Sequence, residues 1–361
     1  MITLSCLRQN INGNRSTGDG FYDRLDKRRN MIKLITPVEL PNFKNKIGYR
    51  HQSMMIGSCF AESIGTFLQE LCFPIMVNPF GILYNPISIA NSLDLLLTGK
   101  TFTEQDLFYS NGVYNSFSHH SRFSGCDQSN TLAIINKQTA QASVILRKCH
   151  HLFITLGTSW VFNHKTKGIV VSNCHKLPAA TFERYRLSVS QITETWIPLI
   201  DKMRSINPDL HMVFTVSPIR HLKDGAHENQ LSKSTLLLAI DQLTSRYGDE
   251  IISYFPSYEI LLDELRDYRF YAADMNHPSE VAVDFIREKF VATILDNEAI
   301  AFSTELGKIL PTLKHKTLNS TDNSYVLFIE NQIEKTKQLQ IKYPFIDLEK
   351  VKKKLHEKIN N

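Results

Sequence analysis

The apolar pattern changes period within a few residues of the first regular stretch. Ser53-Met54-Met55-Ile56 is a short continuous apolar run, of the length a buried strand takes. Ala61 to Leu71 then repeats its apolar positions at helical spacing. The same alternation recurs along the chain. Phe73–Val77, Leu152–Thr155, His211–Phe214 and Ile251–Tyr254 read as strands, while Ile87–Leu97, Thr139–Lys148, Thr181–Met203, Glu228–Tyr247 and Glu280–Arg287 read as helices. Trp160–Phe162 and Ile169–Val171 read as a hairpin, an added flap joined through Asn163 to Gly168. Strands separated by helices predict an α/β domain with a mostly parallel sheet and helices on both faces. No internal repeat is visible.

After residue 297 the pattern shifts. Leu310-Pro311 and Asn319–Asn323 resemble linkers, Tyr325–Ile329 opens a lysine-rich helical run broken at Tyr343-Pro344, and Leu348–Ile359 is a last amphipathic helix carrying Lys352-Lys353-Lys354. The predicted organisation is an α/β domain over 31–297 and a helical appendage over 298–361, packed on the core or on a second subunit. Residues 1–30, polar and charged from Asn10 to Arg29, are expected to be a disordered extension. The basic last helix reads as a solvated face, so no membrane-surface contact is expected.

Composition narrows the function. With 361 residues, 42% hydrophobic and 21% charged, the chain can bury one large core. A net charge of +5 is too mild and dispersed for a nucleic-acid partner. No stretch approaches a membrane span or a signal-peptide core. The six cysteines have no paired spacing, which fits free thiols in the reducing cytoplasm. Thirteen histidines show no metal-ligand spacing, and no phosphate-binding glycine motif is present, so neither metal nor cofactor is expected.

Two corners carry the chemistry. Gly57-Ser58-Cys59 joins the first strand to the first helix, and a helix start offers unpaired N–H groups and a dipole that favours negative charge. A thiol there is expected to lose its proton more easily, and the same N–H groups can receive an oxyanion. Near the other end of the domain, Asp274 and His277 lie three residues apart in the loop entering a helix. That spacing lets the carboxylate take the imidazole Nδ1–H while Nε2 faces outward as a general base. A papain-like order, with asparagine following the histidine, fits this arrangement less well.

These residues resemble the GSCFA domain family, whose name is Gly57-Ser58-Cys59-Phe60-Ala61 as it stands here. Asn78-Pro79-Phe80-Gly81, Leu156-Gly157-Thr158-Ser159-Trp160, Asn173–Pro178, Thr215–His221 and Tyr268–Asp274 are similar to its further motifs, in its order, over roughly residues 35 to 295. The family in turn resembles the SGNH (GDSL-type) hydrolases. That likeness implies a flavodoxin-like three-layer α/β fold, a nucleophile after the first strand and Asp-x-x-His before the last helix. Aligned without a gap, it makes Cys59 the nucleophile; shifted by one residue, Ser58. It implies an oxyanion hole that includes the Gly81 N–H. The third block lacks the superfamily's asparagine, which leaves the Thr158 or Ser159 hydroxyl as a substitute. Asn78, His120, His175, Ser217, Arg220 and His221 are the expected substrate-binding residues. The implied activity is an esterase or acyltransferase acting on small-molecule or carbohydrate esters of cell-envelope type, with an acyl donor where transfer is the reaction. The alternative is a non-catalytic carbohydrate-binding or ligand-binding module on the same fold.

Overall fold

A computed structural model of the protein describes residues 35–314 and 323–360; the extension expected over 1–30 lies outside them. The central sheet has five strands: β1 (Ser53–Gly57), β2 (Ile75–Val77), β3 (His151–Leu156), β4 (His211–Val216) and β5 (Ile252–Tyr254). Their spatial order is β5-β4-β3-β1-β2, and every pairing is parallel. This is the flavodoxin order, in which the chain reverses direction across the sheet between β1 and β3. Strands buried on both faces need apolar side chains at successive positions, which is why β1, β3 and β4 read as unbroken apolar runs.

Helices α1 (Cys59–Glu70), α2 (Pro86–Thr98), α3 (Gln128–Leu146), α4 (Val189–Ile206), α5 (Gly225–Tyr247) and α6 (Glu280–Ile294) complete the three layers. Met54, Ile56, Leu152, Ile154, Met212 and Phe214 point to one face, packing with α2, α3, α4 and α5 through Leu93, Ala142, Trp196 and Leu236. Met55, Phe153 and Val213 point to the other, beneath α1 and α6 through Ile64 and Ile286. The strand side-chain period of two divides these cores.

The C-terminal helices are α7 (Asn297–Gly307), α8 (Leu310–Lys314), α9 (Asn323–Lys342) and α10 (Glu349–Asn360). Phe302, Leu306, Ile329, Leu339, Tyr343 and Leu355 join the same apolar cluster as α1 and α6. On α10, Val351 and Leu355 face inward, leaving Lys353 and Lys354 exposed. No helix among the described residues is long and apolar enough to cross a membrane.

One expected element changes type in part, and the helix read over Thr139–Lys148 begins earlier, at Gln128. The helix predicted over Thr181–Met203 begins only at Val189, and Phe182–Arg186 is instead a strand. It pairs antiparallel with Trp160–His164, which also pairs with Ile169–Val170, so the expected flap is a three-stranded sheet. Phe182 and Tyr185 are spaced as on a helix, so the strand comes from pairing with the neighbouring hairpin, and Ser188 with Gln191 forms the capping box that starts the real helix.

Candidate active site

The turn that carries Cys59 is held by backbone geometry. Gly57 ends β1 with φ +141°, and a Cβ there would lie 2.2 Å from the Thr155 carbonyl oxygen of β3. Only glycine allows this approach. Ser58 follows as the N-cap of α1, buried to 1% exposure, its hydroxyl accepting from the Phe60 N–H at 3.3 Å. Cys59 is thus the first helical residue, half-buried at the carboxyl end of the sheet, beside the switch point between β1 and β3. That crevice is where open α/β sheets bind ligands.

The thiol behaves differently from the expectation. Burial pushes its pKa up, and the N–H groups of Cys59 and Phe60 and the nearby Lys233 ammonium pull it only part of the way back. The helix terminus acts in the expected direction, but desolvation outweighs it.

At the other corner the geometry is tight. Asp274 Oδ1 accepts from the N–H groups of Asn276 (2.9 Å) and His277 (3.0 Å), and Oδ2 lies 2.6 Å from His277 Nδ1. The His277 backbone N–H is the main cause holding the Asp274 carboxyl down to about 2, followed by the Asn276 N–H and the imidazole. An ionised carboxylate only accepts, so in the neutral imidazole Nδ1 is the nitrogen that carries the proton and Nε2 the one with the free lone pair. Both side chains are about half exposed, at 53% and 49%. The loop closes on itself through Ala272 N–H to His277 O (2.8 Å), and Ser279 then caps α6.

Hydrogen bonds connect the two corners through the strand ends. Gly57 is paired with Thr155, so β1 and β3 end at the same edge of the sheet, β1 leading into α1 at Cys59 and β3 into Gly157. The Gly157 N–H donates to Tyr84 O at 2.8 Å, and Arg220, beyond β4, donates its backbone N–H to Asn276 O at 3.2 Å. His221 then stands between the corners: its ring meets Tyr84 edge-on at 5.8 Å, and burial, aided by Lys233 and His277, pulls its pKa down to about 4. Among the described residues, no hydrogen bond joins the Cys59 thiol to His277.

Several expected site residues have other work here. Asn78 is wholly buried; its Oδ1 accepts from the Gly57 N–H at 2.8 Å and its Nδ2 donates to Glu62 at 2.7 Å. It anchors the Gly57–Cys59 turn instead of lining a binding surface. Arg122 completes that anchor through Glu62 (2.8 Å) and the Asn78 carbonyl. The Gly81 N–H donates to Asn78 O at 2.8 Å, so the expected oxyanion donor closes a turn in this conformation. The hydroxyls of Thr158 and Ser159 are both 3.1 Å from Ser232 Oγ on α5, and Ser159 is fully buried. Ser217 is also fully buried, its hydroxyl accepting from the Ile219 N–H. His175 is buried away from this rim, its Nε2 2.8 Å from Ser116 O and its ring against Phe108 and Phe117. His120 caps the short turn Ser121–Phe123 and backs Gly81. Arg220 and His221 are the expected binding residues that stand at the rim.

Sequence reasoning missed Lys233. It lies in α5, is 1% exposed, and donates to Gly157 O and Ser217 O at 2.7 Å each, joining the ends of β3 and β4. Its only sequence signal is a lysine within the helical run Glu228–Tyr247, which reads as a solvated position. Among the described residues no three His, Cys, Asp or Glu side chains converge as metal ligands would.

Comparison with known proteins places the chain. No curated protein sequence matches it. An acetyl xylan esterase, Est2A, from the rumen bacterium Butyrivibrio proteoclasticus is similar in structure at a TM-score of 0.36 and 12% identity, over 73% of this chain and 66% of that one. The profile described as the GSCFA domain protein, C-terminal domain, matches residues 306–361. The profile of the GSCFA family itself matches residues 52–290, and the chain belongs to that family.

Proposed function

We propose that the protein acts on acyl esters through Cys59, His277 and Asp274, as an esterase or as an acyltransferase with a carbohydrate or small-molecule hydroxyl as acceptor. The reading is supported by one observation: an Asp274-oriented imidazole, bonded at 2.6 Å, in the loop that takes a hydrogen bond from Arg220 beyond β4, in a chain whose Cys59 starts α1 after β1. In the proposed cycle substrate binding brings the ester between the two corners. His277 Nε2 takes the thiol proton as sulfur attacks the acyl carbon, and the carbonyl electron pair moves onto oxygen. The Cys59 N–H, the first of the helix and without an intrahelical partner, faces that oxygen. Collapse breaks the ester C–O bond while His277 returns the proton to the leaving alkoxide. Water or an acceptor hydroxyl then gives its proton to His277 and attacks the thioester, restoring the thiol. Cys59 is favoured over Ser58, whose hydroxyl is buried and engaged as a helix cap.

A non-catalytic ligand-binding module is a second reading, favoured by the engagement of Gly81, Thr158 and Ser159 in internal hydrogen bonds. Hydrolysis of p-nitrophenyl acetate, and acyl transfer from acyl-CoA to sugars, measured on wild type and on C59A, H277A and D274N, separates the two. The enzymatic reading expects C59A and H277A to lose about 10²-fold or more and S58A to keep turnover in proportion to folded protein. A folded wild type without turnover on any ester, or activity that survives C59A, refutes it.

A further inference from the structure

Arg220, in the loop from β4 to α5, is an arginine without a partner. Among the described residues its guanidinium enters no ion pair and no hydrogen bond, and its Nε is shut off from solvent with nothing to accept from it. The carboxylates of the same segment, residues 217–233, are already committed: Asp224 pairs with Arg184 and Glu228 with Arg186, both on the flap strand. Asp274, in the loop beside it, is held by His277. A buried donor without an acceptor is costly, and a free guanidinium fork is the group that grips two oxygens of a carboxylate or phosphate at once.

Two further buried atoms without partners flank the same stretch of backbone. The Arg220 N–H donates to Asn276 O at 3.2 Å, which ties the arginine to the loop that carries His277. In that loop the Asn276 Nδ2 donates to Asp274 O at 2.9 Å, while its Oδ1 is buried with no donor. On the other side, Asn229 of α5 is 2% exposed. Its Oδ1 accepts from the His221 N–H at 2.9 Å, which fixes the orientation of the amide and leaves Nδ2 a buried donor with no acceptor. A free cation, a free donor and a free acceptor therefore sit along Arg220-His221 and the loop bonded to it. Buried polar groups are normally paired, and their bonding types together describe what would pair them.

We propose that Arg220 anchors a subsite for an anionic group, a carboxylate or a phosphate, on a hydroxyl-bearing molecule, so that the alcohol side of the ester is an acidic or phosphorylated sugar or polyol. The inference deepens the reading of this rim as an acyl-ester site and rests on it for the chemistry. The guanidinium supplies the countercharge and a planar pair of donors, and Asn229 Nδ2 a further donor. A hydroxyl of the same molecule gives Asn276 Oδ1 the donor it lacks. Because the Arg220 main chain is bonded to Asn276, the residue before His277, a molecule held there is fixed against the loop of the general base. A neutral ester would leave the cation unpaired, and that difference is the source of selectivity.

The test is calorimetric binding of glucuronate, glucose 6-phosphate and glucose, at one fixed ionic strength, to wild type, R220Q and R220K. Wild type is expected to bind at least one of the charged sugars about tenfold or more tightly than glucose, the discrimination that a charge-assisted pair supplies. Glucuronate against glucose 6-phosphate tells a carboxylate site from a phosphate site. R220Q is expected to lose the discrimination, and R220K, which keeps the charge without the planar fork, to retain only part of it. Equal affinity for charged and neutral sugars in wild type, binding of none of them, or discrimination that survives in folded R220Q overturns the proposal. Where R220Q does not fold, N229D serves: the aspartate keeps the oxygen that holds the His221 N–H and places a carboxylate beside Arg220, so it must abolish the discrimination. Unchanged discrimination in N229D overturns the proposal equally. None of these readouts depends on turnover. Charged-sugar binding through Arg220 in a protein inactive on all esters would sink the enzymatic reading alone. Ester hydrolysis by a protein that binds charged and neutral sugars alike would sink only this one.

Discussion

Gly57 is the residue on which the position of Cys59 depends most directly, and replacing it with alanine makes a quantitative test. The added Cβ would meet the Thr155 carbonyl oxygen at 2.2 Å and the Thr155 carbonyl carbon and nitrogen at 2.9 Å. Ordinary contact begins near 3.4 Å, so the strands must separate by roughly 1.2 Å at a spacing that is normally about 4.8 Å. That movement breaks the register bonding of Gly57 to Thr155 and the Ser58 N–H bond to Thr155 O, at 3.2 Å in the native chain. Each buried polar group left unpaired costs about 1–3 kcal/mol, and φ of +141° adds about 1–3 kcal/mol of backbone strain for an L side chain. The expected loss is about 3–7 kcal/mol, a large part of a typical domain stability of about 5–15 kcal/mol. G99A is the matched control: φ is +66° there and nothing lies within 4 Å of the added Cβ, so only about 1–2 kcal/mol of strain applies. Urea unfolding followed by the fluorescence of Trp196, wholly buried against Phe214, measures both variants. If G57A and G99A fall within about 1 kcal/mol of each other, the close approach of β1 to β3 does not shape the Cys59 turn as argued.

Asn78 gives a second perturbation of the same turn: N78A leaves the buried Gly57 N–H without an acceptor and places alanine at φ +46°, so a loss of about 2–4 kcal/mol is expected in the same urea assay. A change below about 1 kcal/mol would show that the side chain does not anchor the turn. Acid should destabilise the fold well before its carboxylates protonate. Burial keeps His119 and His151 neutral in the folded protein, down to about 3 and about 4 against an ordinary 6.5. The unfolded chain takes up protons that the folded chain refuses, so stability is full above about pH 6.5 and declines below it. The slope approaches about 1.4 kcal/mol per pH unit for each residue, or roughly 3 kcal/mol for the pair at about pH 5.5. Thermal unfolding between about pH 7.5 and 5.5 should show at least that decline, with H119L removing about 1.4 kcal/mol of it; a flat profile would mean these imidazoles are solvated.

The layer order of this protein is legible in its residues because the period of the hydrophobic pattern reports secondary structure locally. Unbroken apolar runs at Met54, Leu152 and Met212 signal strands covered on both faces, and helical runs between them leave the parallel α/β sheet as the economical arrangement. The Gly57-Ser58-Cys59 corner and the Asp274-to-His277 spacing are local too, since a cap and a three-residue loop are built from neighbours in sequence. What local pattern could not decide was where polar side chains point once strands lie together. Asn78 reads as a binding residue and becomes an internal anchor because Gly57, distant by 21 positions, presents its N–H there. The segment at Phe182–Arg186 reads as helix and becomes a strand because a neighbouring hairpin offers it an edge. Lys233 reads as surface and becomes a buried cation because Gly157 and Ser217 end their strands on either side of it. Periodicity and capping are properties of a few adjacent residues; burial, desolvation and the pairing of charges arise only when distant strand ends converge.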